Sequence, residues 1–339
     1  MFSLSVISGR VLDLSFAAIA FLAIVLACAS AGTVPSEAPS VQVDPALPVY
    51  TQASGVAGRL KSVGSDTMNN LMTLWLEEFK RNYPNVATEI EGKGSSEAPP
   101  ALIQGISQFG PMSRAMKKGE IDEFEAKFKY KPHQIRVGID GLAVFVHKDA
   151  PIDSITLDQV RQIFSVEGKD MTWGDLGVTD AAWANKPIGT YGRNSASGTY
   201  GFFKEVALGN KDYKPTVKEQ PGSSAVVQAV ATDRYSMGYS GVGYRTADVK
   251  ALSLSKSKGE PAFEPTQENC YSGDYPLARF LYVYANRDPS KRMEPLREEF
   301  VKLVLSKQGQ ELAIKDGYIP LPANVAREEL ERLGIEPNF

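Results

Sequence analysis

One arrangement recurs four times along the chain and constrains its fold more than any other feature. A short β-like run delivers glycine together with Ser or Thr to the start of a helical pattern. It appears in RLKSVGSDTMNNLMTLWLEEF, ATEIEGKGSSEAPPALIQGI, KPIGTYGRNSASGTYGFFKEVAL and VKEQPGSSAVVQAVA. Strands alternating with helices are the signature of an α/β protein. The first unit predicts an amphipathic helix that buries Leu71, Leu74, Trp75 and Phe79 on one face.

The starts of these helices carry the chemistry. The first N–H groups of a helix lack intrahelical partners, and the macrodipole adds partial positive charge there. An anion accepts those hydrogen bonds, while glycine allows close backbone approach. Ser, Thr and Asp are also ordinary N-caps, so a single loop means little. Capping is the favoured reading for GSSAV, and GSDT and GKGSS stay open between capping and binding. The stretch GRNSASGTYGFF differs, because a cap has no need of Arg193 with Ser195, Ser197 and Thr199 around Gly198. Arginine suits bidentate recognition of a tetrahedral oxyanion.

Other functions find little support. The 339 residues suit two domains, and 37 basic against 40 acidic residues leave a net charge of −3. That balance supplies no field for nucleic acid or an acidic membrane, so local geometry must attract any anion. No G-x-x-x-x-G-K-[ST] or G-x-S-x-G motif occurs. The two histidines adjoin no nucleophile; His133 is expected to be solvent-exposed and His147 to sit at a strand end. No His/Cys/Asp cluster has metal-ligand spacing. The expectation is a binding protein that is not an enzyme and has no cofactor or metal.

The N-terminus reads as an export signal over 1–31, with Arg10 ahead of the apolar run Leu14–Ala27. Ala29-Ser30-Ala31 fits a cleavage site, whereas Val25–Cys28 resembles a lipobox, which makes Cys28 a candidate for lipidation. An uncleaved anchor is the alternative. Residues 32–56, with Pro35, Pro39, Pro45 and Pro48, read as a linker or irregular surface segment. Cys270 is then left alone and is expected to be structural.

Over residues 57–329 the chain resembles the Pst-type phosphate-binding proteins, the solute-binding components of bacterial phosphate ABC uptake systems. The likeness is carried in order by VGSDTMNNLMTLWLEEF, EGKGSSEAPPALIQG, FGPMSRAMKKGE, IDGLAVFVHKDAPI, YGRNSASGTYGFF, GYSGVGY, YPLARFLYVYAN and GYIPLP. The resemblance implies a two-lobed periplasmic binding protein fold of type II, with one phosphate held in the inter-lobe cleft. Lobe 1 would comprise 57–139 and 281–339 and lobe 2 residues 140–280, with VGIDGLAVFV and LARFLYVYAN crossing between them. The family's Arg-x-x-x-Ser-Gly-Thr motif falls on Arg193, Ser197, Gly198 and Thr199. Its first loop falls on Ser65 and Thr67, with the Met68 amide, and its second on Ser95 or Ser96.

The chain departs from the family in one loop. Where better-known members place an aspartate, it reads Ser113-Arg114. A carboxylate there accepts the proton that phosphate keeps near neutral pH and repels sulfate. Asp66 and Asp140 are the candidate replacements, and Arg114 either adds positive charge or pairs with one of them. The resemblance further implies a monomer that delivers phosphate in the periplasm to a membrane ABC permease, with no nucleic-acid partner. The alternatives are a binder of sulfate, molybdate or arsenate, an envelope phosphohydrolase, and a surface adhesion protein.

Overall fold

The computed structural model describes residues 41–337, so the export signal, Cys28 and residues 32–40 lie outside the described part. The segment 41–56 has no helix or strand, but it is not a tether. Leu47, Tyr50 and Val56 are buried in the main core. The Tyr50 hydroxyl donates to Glu299 Oε2 at 2.9 Å, and Asp44 Oδ2 accepts from the Ala323 amide at 2.9 Å. For residues 41–56 the segment is irregular, as expected, but the tether reading is corrected: around and after Pro45 and Pro48 the few apolar side chains suffice to dock it.

The first half of the chain runs β1 (Gly58–Gly64), α1 (Asn69–Asn82), β2 (Val86–Gly92), α2 (Ala98–Gln104), β3 (Phe109–Met112), α3 (Lys118–Phe128) and β4 (His133–His147). Next come β5 (Ser154–Thr156), α4 (Leu157–Phe164), β6 (Gly189–Arg193), α5 (Gly198–Val206), β7 (Lys218–Gln220), α6 (Ser223–Thr232) and β8 (Ser236–Gly241). The remainder is β9 (Val249–Ala251), β10 (Ser253–Ser255), α7 (Gln267–Ser272), β11 (Ala278–Ala285), α8 (Pro295–Leu305), α9 (Lys307–Lys315) and α10 (Ala323–Arg332). All four recurring units fold as a strand followed by a helix. No helix among the described residues is long and apolar enough to cross a membrane.

Nine strands form one sheet in the order β2-β1-β3-β11-β4-β8-β6-β7, with β9 also beside β4. The 15-residue β4 joins the two halves. Its stretch up to Gly141 pairs antiparallel with β11, and from Leu142 it pairs antiparallel with β8. On either side lie parallel pairs, β1 with β2 and β3, and β6 with β7 and β8. The result is a mixed α/β protein with the two-lobed binding-protein fold. The run LAVFV explains the long strand: it is buried on both faces, which requires continuous apolar sequence.

Helix α1 buries Leu71, Met72, Trp75, Leu76 and Phe79, and Trp75 Nε1 donates to the Gly309 carbonyl at 2.8 Å. Leu74 is half-buried, because packing against β2, α8 and α9 turns the stripe toward Met72 and Leu76. His147 ends β4. His133, expected in solvent, instead starts β4 and is half-buried, since pairing with Ala285 draws it under neighbouring side chains. Cys270 is a buried free thiol whose pKa burial pushes up to about 12, consistent with a packing role.

Candidate functional site

The carboxyl ends of parallel strands point their loops to one place, as α/β sheets generally arrange their ligand sites. Ser65–Thr67 follow β1, Ser95 and Ser96 follow β2, and Ser113 follows β3. Arg193 ends β6, Ser197–Thr199 open α5, and Ser223 opens α6. Asp140 lies where β4 changes partner from β11 to β8.

These groups meet within hydrogen-bond distance. Thr67 Oγ1 and Thr199 Oγ1 are 2.8 Å apart, and Thr67 Oγ1 is 3.5 Å from Ser223 Oγ. Ser113 Oγ lies 3.2 Å from Ser65 Oγ and 3.3 Å from Ser95 Oγ. The Ser113 amide donates to Ser95 Oγ at 3.0 Å, and the Met68 amide lies 3.4 Å from Ser65 Oγ. All these hydroxyl residues are buried. The Ser96 amide donates to the Ala196 carbonyl at 3.1 Å, tying the β2 loop to the loop before α5.

Two guanidinium groups flank the hydroxyls. Arg193, 1% exposed, donates from Nη1 to Ser223 Oγ at 2.6 Å and pairs through Nη2 with Asp66 Oδ2 at 3.0 Å. Its Nε is buried without a partner. Burial pulls the Arg193 pKa below its ordinary value, and the Asp66 charge opposes that shift. Arg279 donates from Nε and Nη2 to Asp140 Oδ2 at 3.1 and 2.7 Å. It also reaches Thr199 Oγ1 at 2.9 Å and the Ser113 carbonyl at 2.7 Å.

The structure thus brings Ser65, Asp66, Thr67, Ser95, Ser113, Asp140, Arg193, Ser197, Gly198 and Thr199 together. Ser195 is exposed. Arg114 pairs with neither Asp66 nor Asp140. Its guanidinium forks onto Glu120 at 2.7 and 2.8 Å and touches Ser96 Oγ at 3.3 Å. Glu120 is there because, in the first turn of α3, it also accepts the Lys117 amide at 2.8 Å. Burial raises the Glu120 pKa, but the Arg114 bonds outweigh this and hold it below the usual range.

Sequence reasoning missed Arg279 and undervalued Ser223. The signal for Arg279 was a lone arginine inside the apolar strand LARFLYVYAN, where an unpaired charge is too costly to keep. Ser223 had been weighed mainly as a cap, yet α6 has no side-chain cap bond. Its amide binds Asp66 Oδ2 at 2.9 Å and its hydroxyl accepts from Arg193. Ser197 is a true N-cap, accepting from the Thr199 and Tyr200 amides at 3.1 and 3.4 Å, and its hydroxyl hydrogen stays available.

Glycine at 198 has a steric reason. A Cβ there would collide with Ser95 Oγ and stand 2.6 Å from Ser113 Oγ. Two tyrosines support the first loop from behind. Tyr244 Oη donates to the Thr67 carbonyl at 3.1 Å and Tyr318 Oη at 2.6 Å. Among the described residues no group of three or more His, Cys, Asp or Glu could hold a metal ion. Chemically, the site is a buried cluster of hydroxyls, amides and two arginines suited to holding a tetrahedral oxyanion.

Comparison with known proteins gives the family. The PBP superfamily domain matches residues 49–308. The phosphate-binding protein PstS of Pseudomonas aeruginosa is 54% identical over 299 residues, spanning 86% of this chain and 92% of that one. PstS of Staphylococcus epidermidis is 29% identical over 281 residues, 81% and 83% of the two chains. Among solved structures, an ABC-type phosphate transport receptor from Vibrio cholerae superposes with a TM-score of 0.62 at 22% identity, over 77% of this chain and all of the other. The chain belongs to the PBP superfamily and, within it, to the PstS family of phosphate-binding proteins.

Proposed function

We propose that the protein captures inorganic phosphate in the periplasm, in the cage described above, and presents it to an ABC permease for import. The observation that carries this reading is the convergence of Arg193, Arg279 and the hydroxyls of Ser65, Thr67, Ser95, Ser113, Ser197, Thr199 and Ser223 in one buried volume. Phosphate would replace hydroxyl–hydroxyl contacts with hydroxyl–oxyanion bonds, which are the stronger kind. The Arg193 Nε, buried and unmatched, supports an added acceptor at this place.

The lobes proposed from the sequence, 57–139 with 281–339 and 140–280, would close on the anion by a hinge near Asp140. Contacts such as Thr67–Thr199 and Ser223–Asp66, which join residues far apart in sequence, support that reading. The chain would act as a monomer, tethered by a lipid on Cys28.

For the proton of phosphate, Asp66 is the better acceptor. Asp140 Oδ2 is held by the Arg279 fork and Oδ1 takes the Val242 amide at 3.2 Å. Asp66 is anchored through Oδ2 alone, by Ser223 and Arg193, which leaves Oδ1 to accept. An ionised Asp66 welcomes protonated phosphate and repels sulfate. Equilibrium dialysis with radiolabelled phosphate tests the reading. Wild type is expected to bind one phosphate, and Arg193→Ala to bind roughly a hundredfold more weakly, as loss of two charge-assisted bonds implies. Asp66→Asn is expected to admit sulfate. Unchanged affinity in Arg193→Ala would overturn the site, and continued rejection of sulfate by Asp66→Asn would overturn its role.

A further inference from the structure

Apart from the phosphate cage, the described residues form an open cavity of about 580 Å³ with a mixed polar and apolar lining. It lies beside the start of β4, where His133 stands seven residues before Asp140. At about 3.3 Å per strand residue that end lies roughly 23 Å from Asp140, while Ala115 and Met116 bring the other side to within two or three residues of Ser113; none of the residues that form the cage lines the cavity. The volume is in the range typical of small-molecule sites.

Its charge is one-sided. Lys131, Arg287 and Arg332 line it, against Glu125 as the carboxylate. Among the described residues no ion pair holds Arg287, and its Nε is buried without a partner. Arg332 spends Nη1 on both carboxylate oxygens of Glu329, at 3.1 and 3.0 Å, and keeps Nε and Nη2 for other acceptors. His133 Nε2 is also buried without a partner. Burial, with the charges of Arg332 and Arg287 added, pushes the His133 pKa down to about 4 and keeps the ring neutral. A buried arginine nitrogen without an acceptor is rare enough to need a cause.

The floor is apolar. Met116 is buried, Ile121 is partly buried, and both pack in one cluster with Tyr130 and Tyr284. The hydroxyls of the two tyrosines are engaged, Tyr130 with Asn286 Oδ1 at 2.9 Å and Tyr284 with the Met116 amide at 2.9 Å. Both residues line the cavity.

We propose that this cavity is a second binding site, for a small organic anion with an oxyanion head and an apolar or aromatic body. The head would sit between Arg287 and Arg332, with Lys131 at the rim, and the body would lie on Met116, Ile121, Tyr130 and Tyr284. The site is independent of inorganic phosphate in the cage, and nothing in the proposal requires that the cage bind phosphate.

The test is calorimetric titration of the protein with phenyl phosphate and with benzoate, each with and without saturating inorganic phosphate. At least one probe is expected to bind one-to-one in the presence of inorganic phosphate. Arg287→Ala should weaken that binding by at least about tenfold, the loss expected for one charge-assisted contact. Inorganic phosphate affinity should not change. Arg332→Ala, at a half-exposed position, gives the same readout if Arg287→Ala fails to fold. Proton resonances of His133 add a second readout, since an anion beside Arg287 and Arg332 should raise its pKa. Failure of both probes to bind would overturn the proposal. So would binding that inorganic phosphate abolishes, binding that neither substitution weakens, or an unmoved His133 titration with probe bound.

Discussion

Asp140 and Arg279 face each other directly across β4 and β11, and both Nε and Nη2 of the arginine bind one oxygen of the carboxylate. Both side chains are almost wholly buried. The pair sits where the sheet passes from one half to the other, and through Thr199 and the Ser113 carbonyl it touches both sets of anion loops. The pair is charge-balanced, and its contacts also hold Thr199 and the β3 loop in place.

Removing one partner of such a pair leaves an uncompensated buried charge. Arg279→Met is expected to destabilise the protein by about 3–5 kcal/mol. Removing both, in Arg279→Met with Asp140→Leu, should cost less than the sum of the single changes. Urea unfolding of the three variants checks this; additivity would show that the two side chains do not act as a pair.

Gly198→Ala tests close approach in the cage. The new methyl would collide with Ser95 Oγ and crowd Ser113 Oγ. The β2 and β3 loops must then move away from the start of α5. Phosphate affinity is expected to fall by at least about a hundredfold, since misplacing several charge-assisted contacts forfeits a few kcal/mol. Circular dichroism should be unchanged. Wild-type affinity would show that these loops need not meet for binding.

Residues 41–56 should matter to stability although they lie outside every strand and helix. Their deletion removes buried Leu47, Tyr50 and Val56 and the Tyr50–Glu299 bond. At about 1.5–3 kcal/mol per buried apolar side chain, the loss should exceed about 4 kcal/mol. Thermal unfolding of the shortened chain reads it directly, and an unchanged midpoint would return the segment to the status of a tether.

Asp316 introduces a pH dependence. Burial raises its pKa from 3.8 to about 7, and its Oδ2 is buried without a partner. Because the folded pKa is the higher one, stability is fully present below 3.8 and falls as pH rises toward about 7. His133 acts oppositely. Its folded pKa is lowered from 6.5 to about 4, so its contribution is present above 6.5 and is lost on acidification. Asp316→Asn is therefore expected to be more stable than wild type in mildly alkaline buffer and equal to it in acid. Parallel stability curves for the two proteins across that range would contradict the assignment.

Much of this was legible in the sequence because the signals are local. A strand, a Gly-Ser or Gly-Thr turn and a helix pattern lie within about twenty residues of one another, and the Arg193–Thr199 stretch carries its residues in one loop. What was hidden depends on distant partners. Arg279 reaches Asp140 across 139 residues, and Ser223 reaches Asp66 across 157. Arg114 was misjudged because Glu120, only six residues on, becomes its partner through the start of α3. The burial of Leu47 and Tyr50 was masked by the prolines around them, which argue against regular structure but not against packing.

The most direct measurement is calorimetric titration of the phosphate-stripped protein with phosphate and then with sulfate at neutral pH. The account predicts saturable one-to-one binding of phosphate and no heat from sulfate. A folded protein that binds sulfate as well as phosphate, or binds neither, would contradict it.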